Sequence, residues 1–112
     1  MNKTESRRSL VLEARRQAGE ILHWEFEPIK LKLAKACFYA PDFLVVEDDG
    51  LIVLEEVKGT RGWKLDDEGR AKFKIAAEKF PYFEFRGALL TSRGGWKHEV
   101  ARPSVIFPPV SA

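Results

Sequence analysis

The spacing of hydrophobic residues at the start of the chain predicts an amphipathic helix over residues 4–18. Thr4 is the expected N-cap. Gly19 is the expected stop, because glycine readily adopts the left-handed conformation that ends many helices. The residues predicted to face the core are Leu10, Val11, Ala14 and Ala18. The arginines predicted to lie on the outer surface are Arg7, Arg8, Arg15 and Arg16.

Alternating hydrophobic and polar residues then predict a series of strands. ILHWEF at residues 21–26 and IKLKL at residues 29–33 are expected to be extended. Two hydrophobic runs, FLVVE and LIVLEEVK, flank Asp48-Asp49-Gly50, which indicates a β-hairpin because Gly supplies the positive φ that the turn needs. The segments YFEFRGALLT and WKHEV are expected to form two further strands.

A second helix is predicted over residues 66–80, DDEGRAKFKIAAEKF, with Asp66 or Asp67 as its N-cap and Pro81 ending it. Its predicted buried stripe consists of Phe73, Ala76, Ala77 and Phe80. The order of elements predicts an α/β domain with an αβββαβ core, in which a mixed β-sheet is flanked by a helix on each face. The second helix would make the single crossover connection.

The length of 112 residues predicts one domain, with residues 101–112 as a Pro-rich C-terminal arm. The net charge of +2, from 19 Lys+Arg and 17 Asp+Glu, neither indicates nor excludes a nucleic-acid partner. A single cysteine, Cys37, allows no intramolecular disulfide. No apolar run approaches the roughly 20 residues of a membrane span, so a cytoplasmic protein is expected, without a membrane partner.

Charged residues stand at both ends of the hydrophobic hairpin PDFLVVEDDGLIVLEEVKG, which runs from Pro41 to Gly59. Strand alternation places Glu56 and Lys58 on one face of the second strand. A two-residue turn would pair Asp42 with Val57 and direct the two carboxylates to opposite faces. A three-residue turn, or another odd-length loop, pairs Asp42 with Glu56, and this is the turn that we predict.

Two carboxylates on one face, with a main-chain carbonyl nearby, are the kind of ligands that Mg²⁺ prefers. The spacing of Asp42, Glu56 and Lys58 is a loose pattern, and a surface Glu–Lys pair is its default explanation. Two features favour a site. The charges open one strand and close its partner, and Glu56 and Lys58 share a face with apolar residues that look buried.

The motif Pro41-Asp42 … Glu56-Val57-Lys58 resembles that of the PD-(D/E)xK nuclease superfamily. The similarity extends from about Thr4 to Trp96 and is most specific in the blocks APDFLV and EEVKG. Over this length the chain resembles a family of small phage proteins in that superfamily, which are related to phage Holliday-junction resolvases of the endonuclease I type. The resemblance implies a restriction-endonuclease-like fold.

Carried over residue by residue, the resemblance implies that Asp42 and Glu56 bind Mg²⁺ or Mn²⁺, with the backbone carbonyl of Val57 as a third ligand. Lys58 would be the motif lysine. A glutamate from the first helix often completes such sites. Glu5 fits that position, and Glu13 on the same helix is the competing candidate.

Basic residues after the motif are candidate DNA contacts. They are Arg61, Lys64, Arg70, Lys72 and Lys74, although a solvated helix face is nearly as good an interpretation of the last three. Trp63 could stack on an unpaired base or cap the local core.

The sequence thus predicts a Mg²⁺-dependent endodeoxyribonuclease, with branched DNA as an expected partner and a homodimer suiting that substrate. The alternatives left open are a non-catalytic nucleic-acid-binding module of the same fold, and a nicking, packaging or repair nuclease.

Overall fold

The computed structural model describes residues 1–102, which form two helices and seven strands. In chain order these elements are α1 (Lys3–Gln17), β1 (Ile21–Phe26), β2 (Leu31–Ala34), β3 (Cys37–Tyr39), β4 (Phe43–Glu47), β5 (Ile52–Lys58), α2 (Asp67–Lys79), β6 (Glu84–Leu90) and β7 (Trp96–Ala101). The predicted start of the Pro-rich arm, residue 101, is too early, since Ala101 is the last residue of β7. Residues 103–112 of the predicted arm lie outside the described residues.

Five of these strands form one mixed sheet with the order β1-β4-β5-β6-β7. The β5–β6 pair is parallel and is joined by α2, whereas the other neighbouring pairs are antiparallel. The predicted mixed sheet and its single helical crossover are therefore confirmed. The segment predicted as the strand IKLKL instead pairs with β3 as β2, in a separate two-stranded sheet.

A helix packs on each face of the sheet, as predicted. On one face, Leu12 of α1 joins a buried cluster that includes Val53 and Val57 of β5. On the other face, the predicted stripe of α2 packs against Leu54 and Phe85, while Phe80 is partly buried. Because both faces of β5 are covered, side chains that alternate along this strand enter two different environments.

The buried side of α1 differs from the predicted one. Leu10 is 72% exposed, whereas Arg8 is only 2% exposed, and Ala14 and Ala18 lie at the surface. The helix begins two residues earlier than expected, because Asn2, rather than Thr4, is the N-cap and forms a capping box with Glu5. Gly19 follows the C-cap with φ of 77°, as predicted for a helix stop.

The Arg8 side chain points towards the sheet because it pairs there with a buried carboxylate, that of Glu55. Its Nε and Nη2 donate to the two carboxylate oxygens of Glu55 at 2.9 and 2.7 Å, and Glu55 is 0% exposed. Arg86 lies 3.9 Å from the same carboxylate, and the Arg8 guanidinium also packs over the Trp96 ring. A buried charge is tolerated only when paired and hydrogen-bonded, so this contact outweighs the apolar pattern in orienting α1.

No helix within residues 1–102 is long and apolar enough to cross a membrane.

Candidate functional site

The hairpin β4–β5 has the odd-length turn that the site requires. Val46 pairs with Ile52, and the amide of Glu47 donates to the carbonyl of Leu51, so that Asp48-Asp49-Gly50 forms a three-residue loop. Gly50 has φ of 89°, the left-handed conformation expected at the end of such a loop. The predicted turn is confirmed.

This register brings the two motif carboxylates to the same face of the hairpin. Phe43 pairs with Glu55, so Asp42, directly before β4, stands opposite Glu56, the next residue of β5. The amide of Asp42 donates to the carbonyl of Glu55, and the amide of Val57 donates to the Asp42 carboxylate at 2.7 Å. Asp42 is therefore fixed to the end of β5 by its backbone and by its side chain.

The environment of Asp42 disfavours its negative charge. Burial, reinforced by the nearby charge of Glu56, raises the pKa of Asp42 to about 8, although the hydrogen bond from Val57 opposes the shift. Burial also raises the pKa of Glu56, against the stabilising contacts of Tyr39 and Lys58. Two half-buried acids that repel each other form a site whose charge a cation would balance.

Each oxygen of Glu56 has a different neighbour. The hydroxyl of Tyr39 donates to Oε1 at 2.7 Å, and the ammonium of Lys58 lies 3.4 Å from Oε2. Tyr39 is 5% exposed, and both its burial and the adjacent Glu56 raise its pKa well above the usual range. The phenol therefore keeps its proton and acts as a hydrogen-bond donor to the carboxylate.

Lys58 is held mainly by the start of α2. Its Nζ donates to Oδ2 of Asp66 at 2.6 Å, while Oδ1 of Asp66 accepts the amide of Gly69 and caps the helix. Burial alone would lower the pKa of Lys58, but Asp66 and Glu56 raise it, so the side chain stays a protonated donor. The ring of Trp63 lies against the ammonium, and the distance from the ring centroid to Nζ is 5.0 Å.

Of the two glutamates considered on α1, Glu5 lies at the site. Its charge and its hydrogen-bonding contact with Asp42 both contribute to the raised pKa of that acid. Its Oε1 also accepts the amide of Asn2 in the capping box, which anchors the side chain at the helix start.

Glu13 is engaged elsewhere on the same helix. Its carboxylate accepts hydrogen bonds from Arg16, Gln17 and the indole of Trp24. The hydrogen bonds from Arg16 and then Trp24 lower the pKa of Glu13 to about 2. These contacts give Glu13 a structural role in joining α1 to β1.

The donor set suits a hard cation that keeps several water ligands. Within residues 1–102, no three His, Cys, Asp or Glu side chains lie close enough together to hold a metal ion by themselves. Asp42 and Glu56 would thus supply two oxygens, and main-chain oxygen and water would have to supply the others. Val57 places its side chain in the core on the α1 face, and its main chain runs beside the Asp42 carboxylate.

The basic residues named as candidate DNA contacts divide into two groups. Arg70 and Lys72 are paired, with Glu99 and Glu68, each at 3.3 Å. The three that form no ion pair within residues 1–102 are exposed, and they are Arg61, Lys64 and Lys74. Trp63 is only 5% exposed and packs against Phe73, so in this structure it caps the core and is not free to stack on a base.

Two contributors to the site were not recognised in the sequence. No sequence pattern points to Tyr39, because its segment, ACFYAP, has no clear strand pattern and its partner lies 17 residues away. Asp66 was named only as a helix cap, although the same side chain also binds the motif lysine. A carboxylate capping the helix that directly follows the motif strand was the available signal for the second contact.

Comparison of the chain with protein-family models, with curated proteins and with solved structures finds no match.

Proposed function

We propose that this chain is a metal-dependent DNA endonuclease with the restriction-endonuclease-like fold. The observation that carries the proposal is the three-residue turn, because it sets Asp42 opposite Glu56 with Lys58 on the same face. The α-β layering and the parallel β5–β6 pair are compatible with that fold. The raised pKa values of the two acids further support a site that accepts a cation.

Each residue has a role in this proposal. Asp42 and Glu56 hold Mg²⁺ or Mn²⁺ together with the carbonyl of Val57, and Glu5 supports the water shell or a second ion. Such an ion, when bound, lowers the pKa of a bound water and stabilises the leaving oxygen of a phosphodiester. Lys58 donates a hydrogen bond that orients the attacking water or offsets the charge that builds on the phosphate.

The substrate of the proposed enzyme is DNA, and branched DNA such as a four-way junction is the form we favour. Resolution of a junction needs two coordinated cuts, so a homodimer would carry the two sites. The exposed basic residues Arg61 and Lys64, in the loop after the motif, offer phosphate contacts.

The test is cleavage of a panel of labelled four-way junction, flap and linear duplex DNA with Mg²⁺ or Mn²⁺. The wild-type protein is compared with Asp42→Asn and with Asp48→Asn. The second is a matched control, because Asp48 is an exposed aspartate in the turn of the same hairpin.

We expect the wild type and Asp48→Asn to cut at least one of these substrates, and Asp42→Asn to cut at least 100-fold more slowly, since it loses a metal ligand. A wild type that binds DNA but cuts none of the substrates with either metal would instead be a non-catalytic binding module.

A further inference from the structure

A cleft beside the motif lysine carries positive charge that the proposed catalytic residues do not use. It has a volume of about 270 Å³ and lies between the loop that follows β5 and the β6–β7 hairpin. Its lining includes Thr60, Arg61, Leu89, Leu90, Thr91 and Lys97. None of these is acidic, whereas two are cations and two carry hydroxyl groups.

The cleft is aligned with the proposed site by the register of the sheet. Lys58 pairs with Leu89 across β5 and β6, and Leu89 pairs with Lys97 across β6 and β7. Paired residues share a face of a sheet, so Lys97 lies on the same face as Lys58, two strands and about 10 Å away. One DNA backbone is able to reach both side chains.

The charges of the cleft are also available to a ligand. Arg61 and Lys97 are exposed and form no ion pair within residues 1–102. Two cations of α2 differ in this respect, since Arg70 and Lys72 are already paired with carboxylates. An anion would therefore displace no internal partner in the cleft. On α2 it would have to compete with Glu99 for Arg70 or with Glu68 for Lys72.

We infer that this cleft binds a phosphate of the DNA strand that flanks the cut, with Arg61 and Lys97 as its contacts. The inference rests on the proposed nuclease function and adds Lys97 of β7 to the DNA-binding surface. Leu89 and Leu90 supply the apolar part of the cleft lining.

The experiment measures binding of a fluorescent four-way junction by anisotropy in Ca²⁺ over a range of salt concentrations. The variants are Arg61→Ala, Lys97→Ala, the double variant, and Lys35→Ala as a matched control from the exposed β2–β3 turn. Each single cleft variant should weaken binding and reduce the slope of log K against log salt by about 1, because one phosphate contact is lost. Lys35→Ala should leave the slope unchanged.

A double variant with the affinity and salt slope of the wild type would overturn the inference, as would a wild type that does not bind DNA. Cleavage is scored separately. If the wild type cuts DNA and the double variant binds normally, the cleft is rejected and the nuclease proposal stands. If the wild type binds but does not cut, and the slope falls as expected, the cleft stands without the catalytic proposal.

A second inference rests on an independent contact, the hydrogen bond of 2.7 Å from Tyr39 to Glu56. Tyr39 ends the short strand β3, where it pairs with Leu31 of β2, and its ring packs against Phe73 of α2. The small β2–β3 sheet thus holds a buried hydroxyl against one oxygen of a proposed metal ligand.

The geometry points to Tyr39 as a positioning residue that orients Glu56 for the metal ion. The phenol engages Oε1, and this contact restricts the orientation of the Glu56 carboxylate before any cation binds. Groups that hold a metal ligand in this way commonly change metal affinity or activity by about 10- to 100-fold when they are removed. This inference also rests on the proposed metal site.

The test is the affinity of the DNA-free protein for Mn²⁺, measured by calorimetry, with unfolding temperatures recorded in parallel. Tyr39→Phe removes one oxygen atom and keeps the ring, and Tyr82→Phe is the control because Tyr82 is 64% exposed. We expect Tyr39→Phe to bind Mn²⁺ at least 10-fold more weakly, and Tyr82→Phe to bind it as the wild type does.

A Tyr39→Phe protein with a lower unfolding temperature but unchanged Mn²⁺ affinity would show that the hydroxyl is only structural. A wild type that binds no Mn²⁺ would also overturn this role. If the wild type cuts DNA while Tyr39→Phe keeps normal Mn²⁺ affinity, the role of Tyr39 fails and the nuclease proposal is untouched.

Discussion

At the scale of the residue, Asp42 occupies a position that disfavours its charged form in the metal-free protein. It is removed from water and faces Glu56, so its negative form is disfavoured and its pKa rises from 3.8 to about 8. The folded protein therefore binds this proton more tightly than the unfolded chain does. The resulting stability is fully present below about pH 4 and is lost as the pH rises through about 8.

Metal-free protein should accordingly unfold at a lower temperature at pH 8 than at pH 5. Asp42→Asn keeps an oxygen that accepts the amide of Val57 but cannot ionise. It should raise the unfolding temperature at pH 8 by about 4 °C or more, the effect of ~1 kcal/mol in a domain of this size, and should flatten the pH dependence. Calorimetry in EDTA measures both; an equal loss of stability with pH in the two proteins would contradict this explanation.

Substitutions of Glu5 and Glu13 on α1 should have different effects on DNA cleavage. Glu5→Gln retains the helix cap, since Gln serves in a capping box, but removes the charge beside Asp42. We expect it to cut DNA at least 10-fold more slowly without a lower unfolding temperature. Glu13→Gln should cut normally.

Glu13→Gln should instead lower the unfolding temperature at pH 6, with a smaller loss at pH 3. The pKa of Glu13 is lowered to about 2 by Arg16 and Trp24, so its contribution is present above about pH 4.5 and is lost as the pH falls towards 2. Melting curves at pH 3 and pH 6 test this difference, and a loss of cleavage in Glu13→Gln equal to that in Glu5→Gln would make Glu13 the acid of the site.

At the scale of the element, one side chain, that of Asp66, links the start of α2 to the end of β5. Asp66 caps α2 through the amide of Gly69 and binds Lys58 through its other oxygen. The start of the helix and the lysine at the end of the strand are thereby held in a fixed relation. A substitution of Asp66 can therefore remove its contact with Lys58 and still keep the helix cap.

Asp66→Ser keeps a helix cap but has no carboxylate, whereas Asp66→Ala keeps neither. Both should reduce cleavage by a similar factor of about 10, because both release Lys58. Only the alanine variant should lose about 1 kcal/mol of stability, or some 4–8 °C in the unfolding temperature. Equal stability losses with normal cleavage in both variants would limit Asp66 to the helix cap.

Local patterns predicted the elements that depend on neighbouring residues. The hairpin could be derived because alternation and the Asp48-Asp49-Gly50 turn act within a few residues. The orientation of α1 could not, because it depends on the contact between Arg8 and Glu55, which are 47 residues apart. A hydrophobic pattern predicts that an arginine faces the solvent. Only the contact with Glu55 on the sheet explains why Arg8 faces the core.

At the scale of the whole molecule, the sheet organises the proposed site from three directions. Glu5 comes from α1 on one side, Asp42 and Glu56 from the central hairpin, and Asp66 from the start of α2. Sequence predicted the motif side chains, since they lie on one hairpin. The support from Tyr39 depends on a second small sheet, whose position no periodicity could predict.

The central claim is that Asp42 and Glu56 jointly bind a divalent cation at the ends of this hairpin. The most direct test is a crystal structure of the protein soaked in Mn²⁺, with anomalous scattering used to locate the ion. We predict a manganese ion bound by both carboxylates, and its absence from an Asp42→Asn crystal prepared identically. A manganese ion bound elsewhere, or no ion between these two side chains, would contradict the claim.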